Sequence, residues 1–174
     1  MTGRLAALAL VVSLLGACQS LPEPQGPRAS ADLEPTKGNN TTGKVMFTQV
    51  GDKVRVVADV SGLRPNQQHG FHIHDAGDCS SGDGMSAKGH FNPYGKPHGS
   101  PSSPDHHAGD MLALRADASG NARVDTSLDI ISVNPGPASV IGRGLIVHAD
   151  PDDYTTQPTG NAGARLACAV IKPS

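Results

Sequence analysis

Tryptophan is absent from this chain of 174 residues, and there are only three Phe and two Tyr. A strong charge of either sign is also missing. Fourteen Lys and Arg stand against sixteen Asp and Glu, for a formal net charge of −2. So balanced a chain has no electrostatic footprint for a nucleic-acid partner. Long apolar runs are scarce: the one at residues 5–15 is too short to span a membrane. Elsewhere apolar stretches are brief and broken by 21 Gly and 14 Pro, which argues against a helical protein and for a β-rich, loop-rich one. There is no internal repeat, and the length allows one domain and little more.

Cysteine is sparse as well, at three residues, and the first of them ends a distinctive leader. Arg4 gives a positive start, the apolar run follows, and Leu15-Gly16-Ala17-Cys18 closes it. This reads as a secretory signal over residues 1–18. Its end resembles the lipobox of bacterial lipoproteins, in which the cysteine is lipidated and becomes the new N-terminus. The plainer alternative is an ordinary signal peptide cut near Ala17. Lipid on Cys18 also accounts for the odd cysteine count of an exported chain, because Cys79 and Cys168 are then left as one pair. An oxidising compartment permits that disulfide, and the long loop it closes is worth ~4 kcal/mol on a chain-entropy model. Residues 19–31, with Pro22, Pro24, Gly26 and Pro27, have no periodicity and read as a flexible tether. A domain over 32–174 follows.

Within that domain, residues 44–50 and 53–60 read as strands, the second with alternating Val54, Val56, Ala58 and Val60. Gly51-Asp52 between them is a two-residue hairpin turn. Further strands are expected over 69–74, 111–116, 122–128, 140–148 and 164–171, with a weakly signalled one near 29–33. Residues 75–109 and 150–163 are long irregular loops, which in a small domain are disordered or functional. About eight short strands and no convincing helix make an all-β sandwich or flattened barrel of Greek-key type.

Against this background the histidines stand out. Three of the eight lie in His69-Gly70-Phe71-His72-Ile73-His74. On a strand, His72 and His74 share one face and Phe71 and Ile73 the other. Further on come His90, His98, His106, His107 and Asp110, and later His148. A lone histidine is best read as a surface or hydrogen-bonded residue, but imidazole is the usual ligand for zinc and copper, and so many in one small chain point to metal. His90, His98, His107 and Asp110 suit a closed tetrahedral zinc site. His72, His74 and His148 suit copper. The seven groups fall one short of eight ligand places unless one imidazole serves both ions.

His69 to His74, Gly89-His90-Phe91-Asn92-Pro93, His107-Ala108-Gly109-Asp110, Val147-His148 with Asp152, and Gly160-Asn161-Ala162-Gly163-Ala164-Arg165-Leu166-Ala167-Cys168 together resemble the copper/zinc superoxide dismutases, the exported bacterial branch in particular. The resemblance runs from about residue 31 to the end, with the motifs in the family's order. It implies an eight-stranded Greek-key flattened barrel, an immunoglobulin-like sandwich with two long functional loops. It implies copper at His72, His74, His90 and His148, zinc at His90, His98, His107 and Asp110, and His90 shared by both. Asp152 would link a copper ligand to a zinc ligand. Arg165 would be the arginine beside the open copper face, and Cys79 with Cys168 the intrachain disulfide. His69 is expected to be structural, His106 a solvated loop residue, and Asp153 solvated.

The activity implied is superoxide dismutation. Copper cycles between Cu(II) and Cu(I), turning one superoxide into oxygen and the next into hydrogen peroxide. His90 takes up a proton when its link to copper opens, and Arg165 offers positive charge to the anion. In one respect the chain departs from the animal enzymes of the family: its 152–165 loop is short and holds no Lys or Glu. Steering of the anion is therefore expected from Lys88, with Lys96 a further candidate. Cys79 also lies further ahead of His90 than in those enzymes. A rival reading is a periplasmic copper or zinc carrier without turnover on the same scaffold, which retention of His90 and Arg165 disfavours. A second rival, metals that only staple loops, does not account for an all-imidazole site beside an arginine. The leader implies the periplasm or cell envelope, with membrane attachment through Cys18. Monomer and homodimer both occur in the bacterial branch, and the choice stays open.

Overall fold

The strand weakly signalled near 29–33 is present and runs longer at both ends. The computed structural model describes residues 26–174, so the leader, Cys18 and most of the tether lie outside the described residues. Strand β1 (Arg28–Pro35) includes residues 28–31, assigned above to the tether. Ala29, Ala31 and Leu33 are buried at every second position, so this stretch is a core strand rather than a spacer. The hairpin of β2 (Thr42–Val50) and β3 (Lys53–Ser61) turns at Gly51-Asp52 as expected, with Val50 paired to Lys53. Gly51 has φ 60, a conformation that suits glycine at the head of such a turn. On β3, Val54, Val56, Ala58 and Val60 all face the core.

The expected strand over 69–74 is two strands, β4 (Gln68–His69) and β5 (Phe71–His74). The break at Gly70 has a local cause. Its N–H donates to Asp150 and its carbonyl accepts from His148, and a Cβ there would press on Ala162. A single 3₁₀ turn, Met85–Ala87, interrupts the first long loop. Then come β6 (Leu114–Arg115), β7 (Ala122–Leu128), β8 (Gly144–His148), β9 (Arg165–Val170) and β10 (Lys172–Pro173). Two expected strands are shorter than the sequence suggested. Of 111–116 only two residues pair as β6, against β4, while the Ala113 N–H goes to the hydroxyl of Tyr154. Of 140–148 only the second half pairs. Val140 is fully buried, but the chain turns at Gly142, which has φ 77, and Arg143 N–H closes back on the Val140 carbonyl.

The main sheet runs β5-β8-β9-β1-β2-β3-β7, all antiparallel, with β10 beside the start of β1. β1 is its fold line. Residues 28–33 pair with β2, whereas Glu34 and Pro35 pair with Cys168 and Ala167 of β9. The sheet therefore curls at β1 into two faces that enclose Phe47, Val56, Phe71, Ile73, Leu145 and Ile171. The β4–β6 pair lies off this path, since β4 leads directly into β5 and β6 into β7. The chain leaves β3 on one face and enters β5 on the other, which is the Greek-key crossing. Among the described residues there is no α-helix. Cys79 and Cys168 form a disulfide, 89 residues apart in sequence, with Cα atoms 5.9 Å apart. It ties the first long loop to β9, three residues from Arg165.

Candidate metal centre

β5 is the floor of the site. Phe71 and Ile73 enter the core and His72 and His74 face away from it, yet all four are buried. The cover comes from the 75–109 loop, which runs twice along the edge of β5. Ile73 donates to the Gly109 carbonyl and accepts from Phe91 N–H, both at 2.9 Å. His74 and His90 thereby form one bridge, and His72 and Asp110 another. Position 109 has to be glycine, because a Cβ there would overlap the Ile73 carbonyl oxygen. β8 pairs with the other edge of β5 and ends at His148.

The acceptor beside each ring decides which nitrogen carries hydrogen. His74 Nδ1 donates to the Lys88 carbonyl at 2.8 Å. His148 Nδ1 faces the Gly163 carbonyl at 3.3 Å. His72 Nε2 donates to Asp152 Oδ2 at 2.6 Å. What remains is a lone pair on His74 Nε2, on His148 Nε2 and on His72 Nδ1. The first two lie 3.4 Å apart, and the third has no hydrogen-bond partner although it is buried. His90 Nε2 is likewise buried and unpartnered. His72, His74, His90 and His148 form one quartet, with ligand atoms all within 4.8 Å of one another.

His90 belongs to a second quartet, with His98, His107 and Asp110. Its Nδ1 lies 2.8 Å from Asp110 Oδ1 and 3.4 Å from His107 Nδ1. His98 Nδ1 lies 2.9 Å from the same oxygen. A tetrahedral site with bonds of about 2.0 Å has ligand-to-ligand edges of roughly 3.3 Å, so these spacings fit zinc. Asp110 Oδ2 is held by the N–H groups of Gly99 and His107 at 3.0 and 2.9 Å. Asp152 joins the two quartets, because its Oδ1 accepts from His98 Nε2 at 3.0 Å while its Oδ2 takes His72.

The electrostatics agree with cation binding. Burial pushes His74 and His148 well below the usual imidazole range, and neighbouring rings and Arg165 push the same way, so both rings are neutral at neutral pH. Burial likewise brings His90 down to about 4, against the pull of Asp110. At His98 burial also opposes the proton, but Asp110 and Asp152 outweigh it and lift the group to about 9. Burial would raise both carboxylates, yet hydrogen bonds from His107, His90 and His98 hold Asp110 low, and those from His72 and His98 hold Asp152 low. Buried lone pairs with no donor are costly. Two of them in one quartet, beside an anionic second site, fit two metal ions. An all-imidazole set is copper chemistry and a set of three imidazoles with one carboxylate is zinc chemistry.

His69 stands apart from both quartets, its Nδ1 donating to the His148 carbonyl at 2.8 Å. His106 is also in neither, but the expectation that it is solvated fails. It is buried, with Nδ1 donating to the His107 carbonyl at 2.7 Å. Asp153 is exposed as expected and accepts from the N–H groups of Thr155 and Thr156. Arg165 is held by two carbonyls, Gly84 and Lys88, each at 2.6 Å. Nothing in the sequence points to those backbone acceptors. Lys88 is exposed, whereas Lys96 is paired with Asp105 at 2.6 Å, so its charge is largely compensated.

A family model described as copper/zinc superoxide dismutase (SODC) matches residues 41–171. The chain belongs to the copper/zinc superoxide dismutase family. A superoxide dismutase [Cu-Zn] of Paramecium bursaria Chlorella virus 1 is 44% identical over 135 residues, spanning 74% of this chain and 71% of the relative. Superoxide dismutase [Cu-Zn] 2 of Aquifex aeolicus (strain VF5) is 40% identical over 149 residues, spanning 83% and 86%. Among solved structures, that of the clock protein EA4 superimposes with a TM-score of 0.77 at 38% identity, covering 88% of this chain and 99% of that one. As a member of the copper/zinc superoxide dismutases, the protein is an oxidoreductase that dismutes superoxide, and its metals are copper and zinc.

Proposed function

We propose that copper is held by His72, His74, His90 and His148, that zinc is held by His90, His98, His107 and Asp110, and that the protein removes superoxide in the periplasm while anchored by lipid on Cys18. The observation that carries the site assignment is the position of His90. His90 belongs to both quartets, with Nδ1 against Asp110 and Nε2 buried without a partner.

Bound copper supplies the one-electron couple by which one superoxide is oxidised and another reduced, a change zinc cannot undergo. The protein's own groups do the rest. Asp152 and the carbonyls of Lys88 and Gly163 orient the three outer rings, so no ring has to rotate to receive an ion. His90 Nε2 is the atom at which a proton can be held and handed to the reduced substrate. Arg165, pinned by the carbonyls of Gly84 and Lys88, keeps a fixed positive charge at the mouth for a small anion. Lys88, exposed on the same stretch, steers that anion inward.

Export is supported by the leader and by the disulfide, which suits an oxidising compartment. The test is to load metal-free protein with copper and zinc, measure metal content, and follow superoxide decay. The protein is expected to take one ion of each metal per chain and to accelerate decay, and His148→Ala to lose copper and turnover while keeping zinc. Copper-loaded protein that leaves superoxide decay unchanged would overturn the reading.

A further inference from the structure

We propose that Gln157 and Tyr154 are positioning residues for the zinc half of the centre, the hooks by which the 150–163 loop fixes His98 and Asp152. The proposal rests on the reading of His98 as a zinc ligand.

The ligands of the second quartet are held in unequal ways. His90 and Asp110 each form a bridge with β5, and His107 N–H is bonded to the Asp110 carboxylate. His98 has no strand beside it. Its backbone is gripped by a side chain instead. Gln157 Oε1 accepts the His98 N–H at 2.9 Å, and Gln157 Nε2 donates to the His98 carbonyl at 2.8 Å. One amide thus supplies both halves of a ladder rung, across 59 residues of sequence. A two-point clamp fixes the direction of the peptide and not merely its distance, so it sets where the ring begins.

Tyr154 acts from the other side. Its N–H donates to Asp152 Oδ1 at 2.7 Å, the same oxygen that accepts from His98 Nε2. Its hydroxyl accepts the Ala113 N–H at 2.8 Å, which docks the loop against the barrel just ahead of β6. The backbone of Tyr154 sits at φ 56, where a bulky side chain is uncommon and is kept only when its surroundings hold it. Just ahead of Tyr154, the Asp153 carboxylate accepts from Thr155 N–H and from the N–H and hydroxyl of Thr156, so the loop is tied to itself. Gly160 completes the fit, since a Cβ there would collide with both Asp152 and His98.

The experiment compares the metal-loaded protein with Gln157→Ala, Gln157→Glu, Tyr154→Phe and His98→Ala. Two readouts are the rate of zinc transfer to a chromogenic chelator and the visible spectrum with cobalt(II) in the zinc site. Outer partners of metal ligands typically govern affinity by about 10- to 100-fold. Gln157→Ala should therefore release zinc at least about tenfold faster, with an altered cobalt spectrum. Gln157→Glu, which keeps the acceptor and loses the donor, should lie between it and the native chain. Tyr154→Phe should also accelerate release, and it carries the test if Gln157→Ala does not fold. Native release rates and a native cobalt spectrum in both Gln157→Glu and Tyr154→Phe would overturn the proposal. Native zinc release from His98→Ala would instead overturn the ligand reading beneath it.

Discussion

Lys88→Gly is expected to make the protein more stable and a poorer catalyst at low salt. Lys88 has φ 65 and ψ −148, a region of backbone space nearly reserved for glycine. Holding a residue with a Cβ there costs ~1–3 kcal/mol. It persists because the Lys88 carbonyl has two tasks, accepting from His74 Nδ1 at 2.8 Å and from Arg165 at 2.6 Å. Glycine keeps that carbonyl and relieves the strain. It also adds ~0.5–1 kcal/mol of unfolded-state entropy, so the net gain is about 1 kcal/mol. For a domain of this size that corresponds to a rise in Tm of about 2–4 °C, readable by calorimetry on the metal-loaded protein. The same change removes the charge proposed to steer the anion. Screening shortens the reach of that charge from about 30 Å at 0.01 M salt to about 8 Å at 0.15 M. Stopped-flow superoxide decay should therefore show a loss in kcat/KM at low salt that shrinks as salt rises, and Lys88→Glu should deepen it. A lower Tm for Lys88→Gly would refute the strain argument, and an unchanged salt dependence in both variants would refute steering.

Removing the disulfide with Cys79→Ser and Cys168→Ser should cost about 4 kcal/mol on the chain-entropy model, a fall in Tm on the order of 10 °C. Turnover of the folded fraction should also drop, because the tethered loop supplies both carbonyls that hold Arg165. Asp152→Ala leaves His72 Nε2 and His98 Nε2 without their acceptor, so both metals should dissociate about 10- to 100-fold more readily, measured by competition with chelators. Lipidation is checked by mass spectrometry of the mature N-terminus, where an acylated Cys18 is expected and Cys18→Ala should release the protein from membranes.

Period-two patterns were readable without a structure wherever one strand face meets the core. Residues 53–60 and 122–128 are such cases, because side-chain alternation is a local property of an extended chain. The members of the two quartets were readable because histidine is chemically specific and because their order along the chain matches a known family. The ends of β6 and β8 were not readable. Val140 is as buried as a strand residue, but whether its backbone pairs depends on Gly142 turning the chain back toward Ile171. The break at Gly70 depends on Ala162 and Asp150, far along the sequence.

Composition, spacing and the order of the motifs thus pointed to an all-β chain carrying six histidines and an aspartate suited to two ions. Tertiary structure decided which nitrogen of His72, His74 and His148 keeps its lone pair, since that choice belongs to an acceptor placed by another segment: Asp152, Lys88 or Gly163. It also decided how Arg165 and His98 are held. Their partners are backbone carbonyls and one glutamine amide, groups that every loop contains and that acquire meaning only through position.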